Sequence, residues 1–221
     1  NDITEKLLDI GPFDTVYHLA AISRIGMCQN NPQRAQAVNE SGTLRVLIRS
    51  AVWGANFVFA SSCTAAQPDL SVYGKTKRNG ERFCSTHTTL KGMGRIAVAR
   101  LFNVYGPGEP ETGPTSTLVA RFAHARRTGA SLPVYGDGSQ KRDFVHVDDA
   151  CNALVLLSEK SPGPTPFDVG TGVSYSVRDV ARMFDHQIQY LRRPTNEMDE
   201  AWADPTSLRK FGWEPRHSLR E

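Results

Sequence analysis

Apolar residues along this chain gather in short unbroken runs separated by stretches of helical spacing. Phe13 to Leu19 is a mostly apolar run of strand length ending in two small residues, Ala20 and Ala21. A polar stretch follows, and from Ala35 to Val52 the apolar positions Val38, Leu44, Leu47, Ile48 and Ala51 recur at helical spacing. Asn56 to Ala60 is again continuous and stops at Ser61-Ser62. Val72 to about Thr86 is helix-compatible, with Tyr73, Lys77 and Phe83 on related faces, and Arg95 to Phe102 is a further apolar run. Runs without polar alternation fit parallel strands covered on both faces. Their alternation with helices predicts right-handed crossovers and an α/β fold, a doubly wound parallel sheet.

After Asn103 the texture changes. Tyr105 to Thr117 is rich in Gly and Pro and reads as a long loop, a length usually tied to function. Helix is expected over Leu118 to Thr128, a short strand over Leu132 to Tyr135, and helix over Val147 to Leu157. Residues 1–102 are therefore expected to form the sheet domain. Residues 103–221 are expected to form mainly a smaller lobe, with some segments returning to the sheet.

Composition narrows the classes. Net charge is +3 over 221 residues, with the basic residues scattered. That suits an anionic small molecule without requiring one, and no basic stripe with interleaved aromatics points to nucleic acid. Cys28, Cys63, Cys84 and Cys151 are far apart, which argues against a zinc site and a disulfide framework and favours a reducing compartment. No apolar run is long enough to span a membrane and no signal peptide is recognisable, so a cytoplasmic protein is expected.

One pair carries chemistry. Tyr73 and Lys77 stand four residues apart on a predicted helix and so share a face. A phenol titrates near pH 10, and a neighbouring ammonium favours the phenolate, making a proton shuttle feasible at neutral pH. The alternative is a surface lysine beside a half-buried tyrosine. Order favours chemistry: Ala20, Ser62 and Asn103 all fall at the carboxyl ends of predicted parallel strands, where the crevice of an open sheet lies.

These residues resemble the extended short-chain dehydrogenase/reductase family, in particular its nucleotide-sugar epimerases and dehydratases. The matching pieces are His18-Leu19-Ala20-Ala21, Asn39-Glu40-Ser41-Gly42-Thr43, Phe59-Ala60-Ser61-Ser62 and Tyr73-Gly74-Lys75-Thr76-Lys77. Arg100 to Pro107, Gly136-Asp137-Gly138 and Arg142 to Asp149 continue the match in the family's order. The resemblance implies a Rossmann-like fold, NAD as cofactor and a nucleotide-sugar substrate. It makes Tyr73 the acid/base, Lys77 the residue that lowers its pKa and binds the nicotinamide ribose, and Ser62 the hydroxyl partner, with Ser61 and Thr64 as rivals. It places Ala20 and Ala21 against the cofactor and Asp2 near the adenine. Asn103, Arg142 and Arg193 become substrate-diphosphate contacts, for which guanidinium forks are suited, and Leu132 to Tyr135 the segment meeting the base. It also implies a homodimer packed through the Tyr73 helix and the Ala35–Val52 helix, which should show apolar outer faces.

Rival readings remain at single positions. Asn103 reads alternatively as a turn cap before Gly106-Pro107, Arg142 as a surface partner of Asp143, and Arg193 as solvated. His18 and His146 read as structural, and Asp148 and Asp149 as helix caps. The chain departs from the family in lacking the glycine turn and first strand that receive a pyrophosphate, so a fragment of a longer protein is expected. Family dehydratases carry an Asp-Glu pair after the hydroxyl residue, where this chain has Cys63 and Thr64. That favours a UDP-hexose 4-epimerase-like reaction over a 4,6-dehydratase, decarboxylase or reductase. A non-catalytic NAD-sensing protein or truncated remnant is the alternative of another class. NAD and NADP are not distinguished.

Overall fold

The computed structural model describes residues 3–4, 11–194 and 198–220. Asp2 lies outside them. The central layer is a parallel sheet in the order β1-β2-β3-β7: Thr15–His18, Asn56–Ser62, Ile96–Leu101 and Pro166–Val169. The apolar runs do what their lack of alternation implies. Phe57, Val58 and Phe59 on β2 are buried on both faces, as are Ala97, Val98 and Ala99 on β3.

One face is covered by α3 (Thr43–Trp53) and α4 (Val72–Thr86), around Leu47, Phe57, Phe59, Cys84 and Val98. On the other face α6 (Val147–Lys160) places Ala153, Leu154 and Leu157 against Val58, Ala97 and Ala99. Segment 147–169 thus returns to the central layer. β4 (Asn103–Tyr105), β6 (Lys141–His146), β8 (Ser174–Ser176) and β10 (Glu200–Ala201) form a second sheet, with β8 antiparallel to β6. β5 (Leu132–Tyr135) pairs with β9 (Ile188–Leu191). Helix α5 (Leu118–Thr128) and α7 (Val177–Met183) pack there around Phe122, Leu132, Val134 and Val180. Gly129, at φ 75°, ends α5 in the left-handed conformation a side chain would disfavour.

Four local expectations need correction. Ser61 and Ser62 belong to β2 rather than following it. The helix expected over Ala35–Val52 is interrupted: α2 (Pro32–Gln36) passes through wider π-turns at Ala37–Gly42 before α3 begins. There the Thr43 hydroxyl donates to Asn39 O at 2.7 Å, a side-chain bond into the helix backbone of the kind that bends a helix. The cap of α6 is His146, whose Nδ1 accepts from Asp148 N at 3.3 Å, and not Asp148 or Asp149. Asp149 is buried and receives the backbone N–H groups of Arg216 and His217 at 3.0 Å each. Finally, the exposed positions of α4 are Lys75, Arg82, Ser85 and Thr86, so an apolar outer face is confined to α3, at Ile48 and Val52.

Candidate active site

The carboxyl ends of β1, β2 and β3 open into a cavity of about 550 Å³ between the two layers. Ala21, Ser62, Tyr73, Lys77, Asn103 and Arg142 share its wall, so most of the residues singled out in the sequence meet there although 121 positions separate the outermost. Ala20 stands exposed beside it at the end of β1. Pro133 and Tyr135 reach the cavity while Leu132 and Val134 point into the core, the alternation of a strand.

Hydrogen bonding sorts the three candidate hydroxyls. Ser61 Oγ donates to Glu81 Oε1 at 2.7 Å, inside a buried network with Arg100 and Arg78. Burial works against the Glu81 charge, but the Arg100 fork and the Ser61 hydroxyl outweigh it and hold its pKa below the ordinary carboxylate value. Thr64 gives both its N–H and its hydroxyl to Ser62 Oγ, at 3.3 and 3.0 Å. With both lone pairs of Ser62 engaged, its own proton remains to be donated, and the Ser62 hydroxyl acts against burial to lower the Tyr73 phenol pKa.

The electrostatics of Tyr73 differ from the sequence-based expectation. Burial pushes the phenol above its ordinary value, and the groups acting against burial are Ser62 and Arg24, not Lys77. Lys77 Nζ is turned toward β2, donating to Ala60 O at 2.7 Å, and sits 5.0 Å from the Phe59 ring centroid and 5.9 Å from that of Tyr73. Burial lowers the Lys77 ammonium to about 8, so it remains largely charged at neutral pH.

The substrate candidates divide. Asn103 Nδ2 donates to Asp143 O at 2.9 Å, which ties β4 to β6 rather than capping a turn. Arg142 Nη1 donates to Lys141 O at 2.7 Å. It forms no surface pair with Asp143, whose buried carboxylate receives Thr171, Gly172 and Ala203 on the far side of the strand. Arg193 is not among the residues lining the cavity. It packs over Gly136 and pairs with Asp199 at 2.7 Å.

Several wall residues escaped the sequence reading. Arg24 and Arg121 both line the cavity, as does Gln140. Asn39 holds the rim: its Oδ1 accepts from Ile22 N at 2.8 Å, and its Nδ2 donates to Ile22 O and Thr76 Oγ1 at 3.0 Å each. Arg24 had one available signal, its place just past the carboxyl end of an apolar run. Among the described residues, His146, Asp148 and His217 form the one group with metal-compatible spacing, and none of them lines the cavity.

Comparison with known proteins supplies the family. The model of the NAD dependent epimerase/dehydratase family matches residues 1–170. A dTDP-L-rhamnose 4-epimerase of Burkholderia thailandensis is 32% identical over 160 residues, covering 67% of this chain and 43% of that protein. A UDP-glucose 4-epimerase of Mycolicibacterium smegmatis is 27% identical, covering 100% of this chain and 76% of that protein. The crystal structure of a Thermus thermophilus UDP-glucose 4-epimerase in complex with NAD superposes with a TM-score of 0.84 at 25% identity, covering 94% of this chain and 75% of that one. The chain thus spans less than half the length of the first of these relatives and about three quarters of the other two. With a family match over more than three quarters of its residues, the chain belongs to the NAD-dependent epimerase/dehydratase family.

Proposed function

We propose that this chain is the catalytic part of an NAD-dependent enzyme that epimerises a nucleotide-activated hexose, at C4, through a transient keto sugar. The observation that carries this reading is the grouping of Ser62, Tyr73 and Lys77 on one cavity at the carboxyl ends of parallel strands, with Thr64 donating to Ser62 and the Ser62 hydroxyl acting to lower the phenol pKa. The wall also fits the cofactor. Lys77 spends one donor on Ala60 O, leaving ammonium protons for ribose hydroxyls, and the small Ala21 leaves room for a flat ring. NAD, when bound, supplies the reversible hydride acceptor. Tyr73 takes the hydroxyl proton as the sugar carbon is oxidised and returns it when the keto sugar is reduced on its other face. A raised phenol pKa makes its conjugate base strong but scarce, and the Ser62 hydroxyl and the Arg24 charge increase its population.

Epimerisation is favoured over elimination of water because elimination needs a further acid and base. Cys63 and Thr64 stand after the hydroxyl, and burial pushes the Cys63 thiol up. No Asp or Glu lines the cavity among the described residues. Asn103 and Arg142 are assigned to the substrate diphosphate, and Arg193 is left outside. A homodimer belongs to this reading, supported on α3 by the exposed Ile48 and Val52, while the exposed positions of α4 are polar. So does a cytoplasmic setting, supported by four unpaired thiols. Among the described residues no helix is long and apolar enough to cross a membrane. The test is a product assay of the full-length protein with UDP-, GDP- and dTDP-hexoses. One of them should return its C4 epimer, and Tyr73→Phe should lower kcat about a thousandfold with the fold intact. Unchanged turnover in that variant removes the mechanism.

A further inference from the structure

The cavity wall is unbalanced in charge. Arg24, Lys77, Arg121 and Arg142 line it, and no carboxylate does among the described residues. Under the reading above, Lys77 serves the cofactor ribose and Arg142 the diphosphate. That leaves two guanidinium groups without a partner of opposite charge in the cavity.

Those two sit together on the Tyr73 side. Arg24 directly precedes α1 (Ile25–Asn30), just past the end of β1. Its Nη2 donates to Thr115 O, and its Nε is buried with no hydrogen-bond partner. Arg121 lies in the first turns of α5, with Nε donating to Thr117 O at 3.2 Å. The two cations repel: burial and the Arg121 charge both lower the Arg24 pKa, while Tyr73 and Glu109 act against them. Glu109 is the nearby acid, and its carboxylate is already engaged by Gly106 N and the Thr117 hydroxyl. Leu118 and Val119, at the start of α5, also face the cavity, so the positive end of that helix adds to the same corner. Keeping like charges together in a half-buried corner is costly unless an anion joins them.

We propose that Arg24, with Arg121 beside it, receives an acidic group carried by the sugar itself, so that the substrate is a nucleotide-activated hexuronic acid or another carboxylate-bearing hexose. The inference rests on the epimerase reading. Tyr73 meets the hydroxyl of the reacting carbon, and a carboxylate on the neighbouring carbon falls within reach of Arg24, which lines the same cavity and whose charge acts on that phenol. A carboxylate accepts from a guanidinium in a bidentate fork and fills the unused Arg24 donor.

The test compares neutral and acidic partners on one nucleotide at a time, using the full-length protein: UDP-glucose with UDP-glucuronate, GDP-mannose with GDP-mannuronate, dTDP-glucose with dTDP-glucuronate. For the nucleotide accepted, kcat/KM for the acid should exceed that for the neutral sugar by about tenfold or more. Arg24→Gln should cut that acid-to-neutral ratio about tenfold, and Arg24→Lys should restore part of it. Arg142→Gln should weaken both partners alike. Thermal melts of each variant separate misfolding from lost recognition. Equal or better use of the neutral sugars, or a ratio indifferent to Arg24, overturns this inference and leaves the epimerase reading standing. Turnover of no member of any pair overturns both.

Discussion

His18 shows how one residue is set by its surroundings. It lies between Phe57 and Phe59, with ring centroids 5.8 and 6.0 Å away, and its Nε2 is 2.9 Å from Thr43 Oγ1. Thr43 spends its own proton on Asn39 O, so it accepts from the imidazole N–H, and the ring is neutral. Burial first and the Lys77 charge second lower its pKa from 6.5 to about 4. Because the unfolded chain binds the proton more readily, stability is full above about pH 6.5 and is lost as pH falls toward 4. Between pH 7 and pH 5 this one group costs about 2 kcal/mol. Urea unfolding at the two pH values should show that loss in the wild type and most of it removed in His18→Gln. An identical pH slope in both would mean the imidazole is not the titrating group.

At the scale of elements, the placement of α4 depends on close approach to the sheet. A Cβ on Gly80 would lie 2.3 Å from the Phe59 ring, and that ring is fully buried in the core. Alanine at this helical position gains about 1 kcal/mol in propensity. Overpacking a fixed ring costs about 1–3 kcal/mol, and moving α4 outward shifts Tyr73 and Lys77 with it. Gly80→Ala should therefore lose up to about 2 kcal/mol of stability in a denaturant melt and lower kcat as well. A melt at or above the wild-type midpoint would show that α4 has room to spare. The π-turns at Ala37–Gly42 work in the same sense, since they leave Asn39 able to hold both polar groups of Ile22 and the hydroxyl of Thr76 on α4.

At the scale of the molecule, the second layer is gathered on the buried Asp143. Its two oxygens accept from Thr171 N and Oγ1 at 2.9 and 2.7 Å, Gly172 N at 2.8 Å and Ala203 N at 3.1 Å. Its backbone carbonyl takes Asn103, joining the cleft wall to the same node. Asp143→Ala strands four donors and should cost about 4 kcal/mol, with Asp143→Asn recovering part because one amide oxygen still accepts. Urea midpoints of the two variants check this, and an Ala variant as stable as the Asn variant would refute it.

The central sheet was legible because its information is local. Runs such as Asn56–Ala60 and Arg95–Phe102 lack alternation, and only a strand covered on both faces tolerates that. Tyr73 and Lys77 were legible through helical spacing, and the family motifs through their order. Spacing says which residues share a face, but not how deeply that face is buried. The sequence therefore assigned Lys77 to the phenol, whereas the fold turns its ammonium to Ala60 O and lets desolvation raise Tyr73. Hydrogen-bond direction is likewise a matter of neighbours: adjacent serines on β2 point to opposite sides, Ser61 to Glu81 and Ser62 to the cleft. Arg24 and Arg121, 97 positions apart, carry no local mark of belonging together. Local pattern determined the strands, the helices and the residue types at the strand ends. Tertiary packing alone decided which of those groups lost their water and which charges were left facing one another, because desolvation and Coulomb energy depend on distance in space.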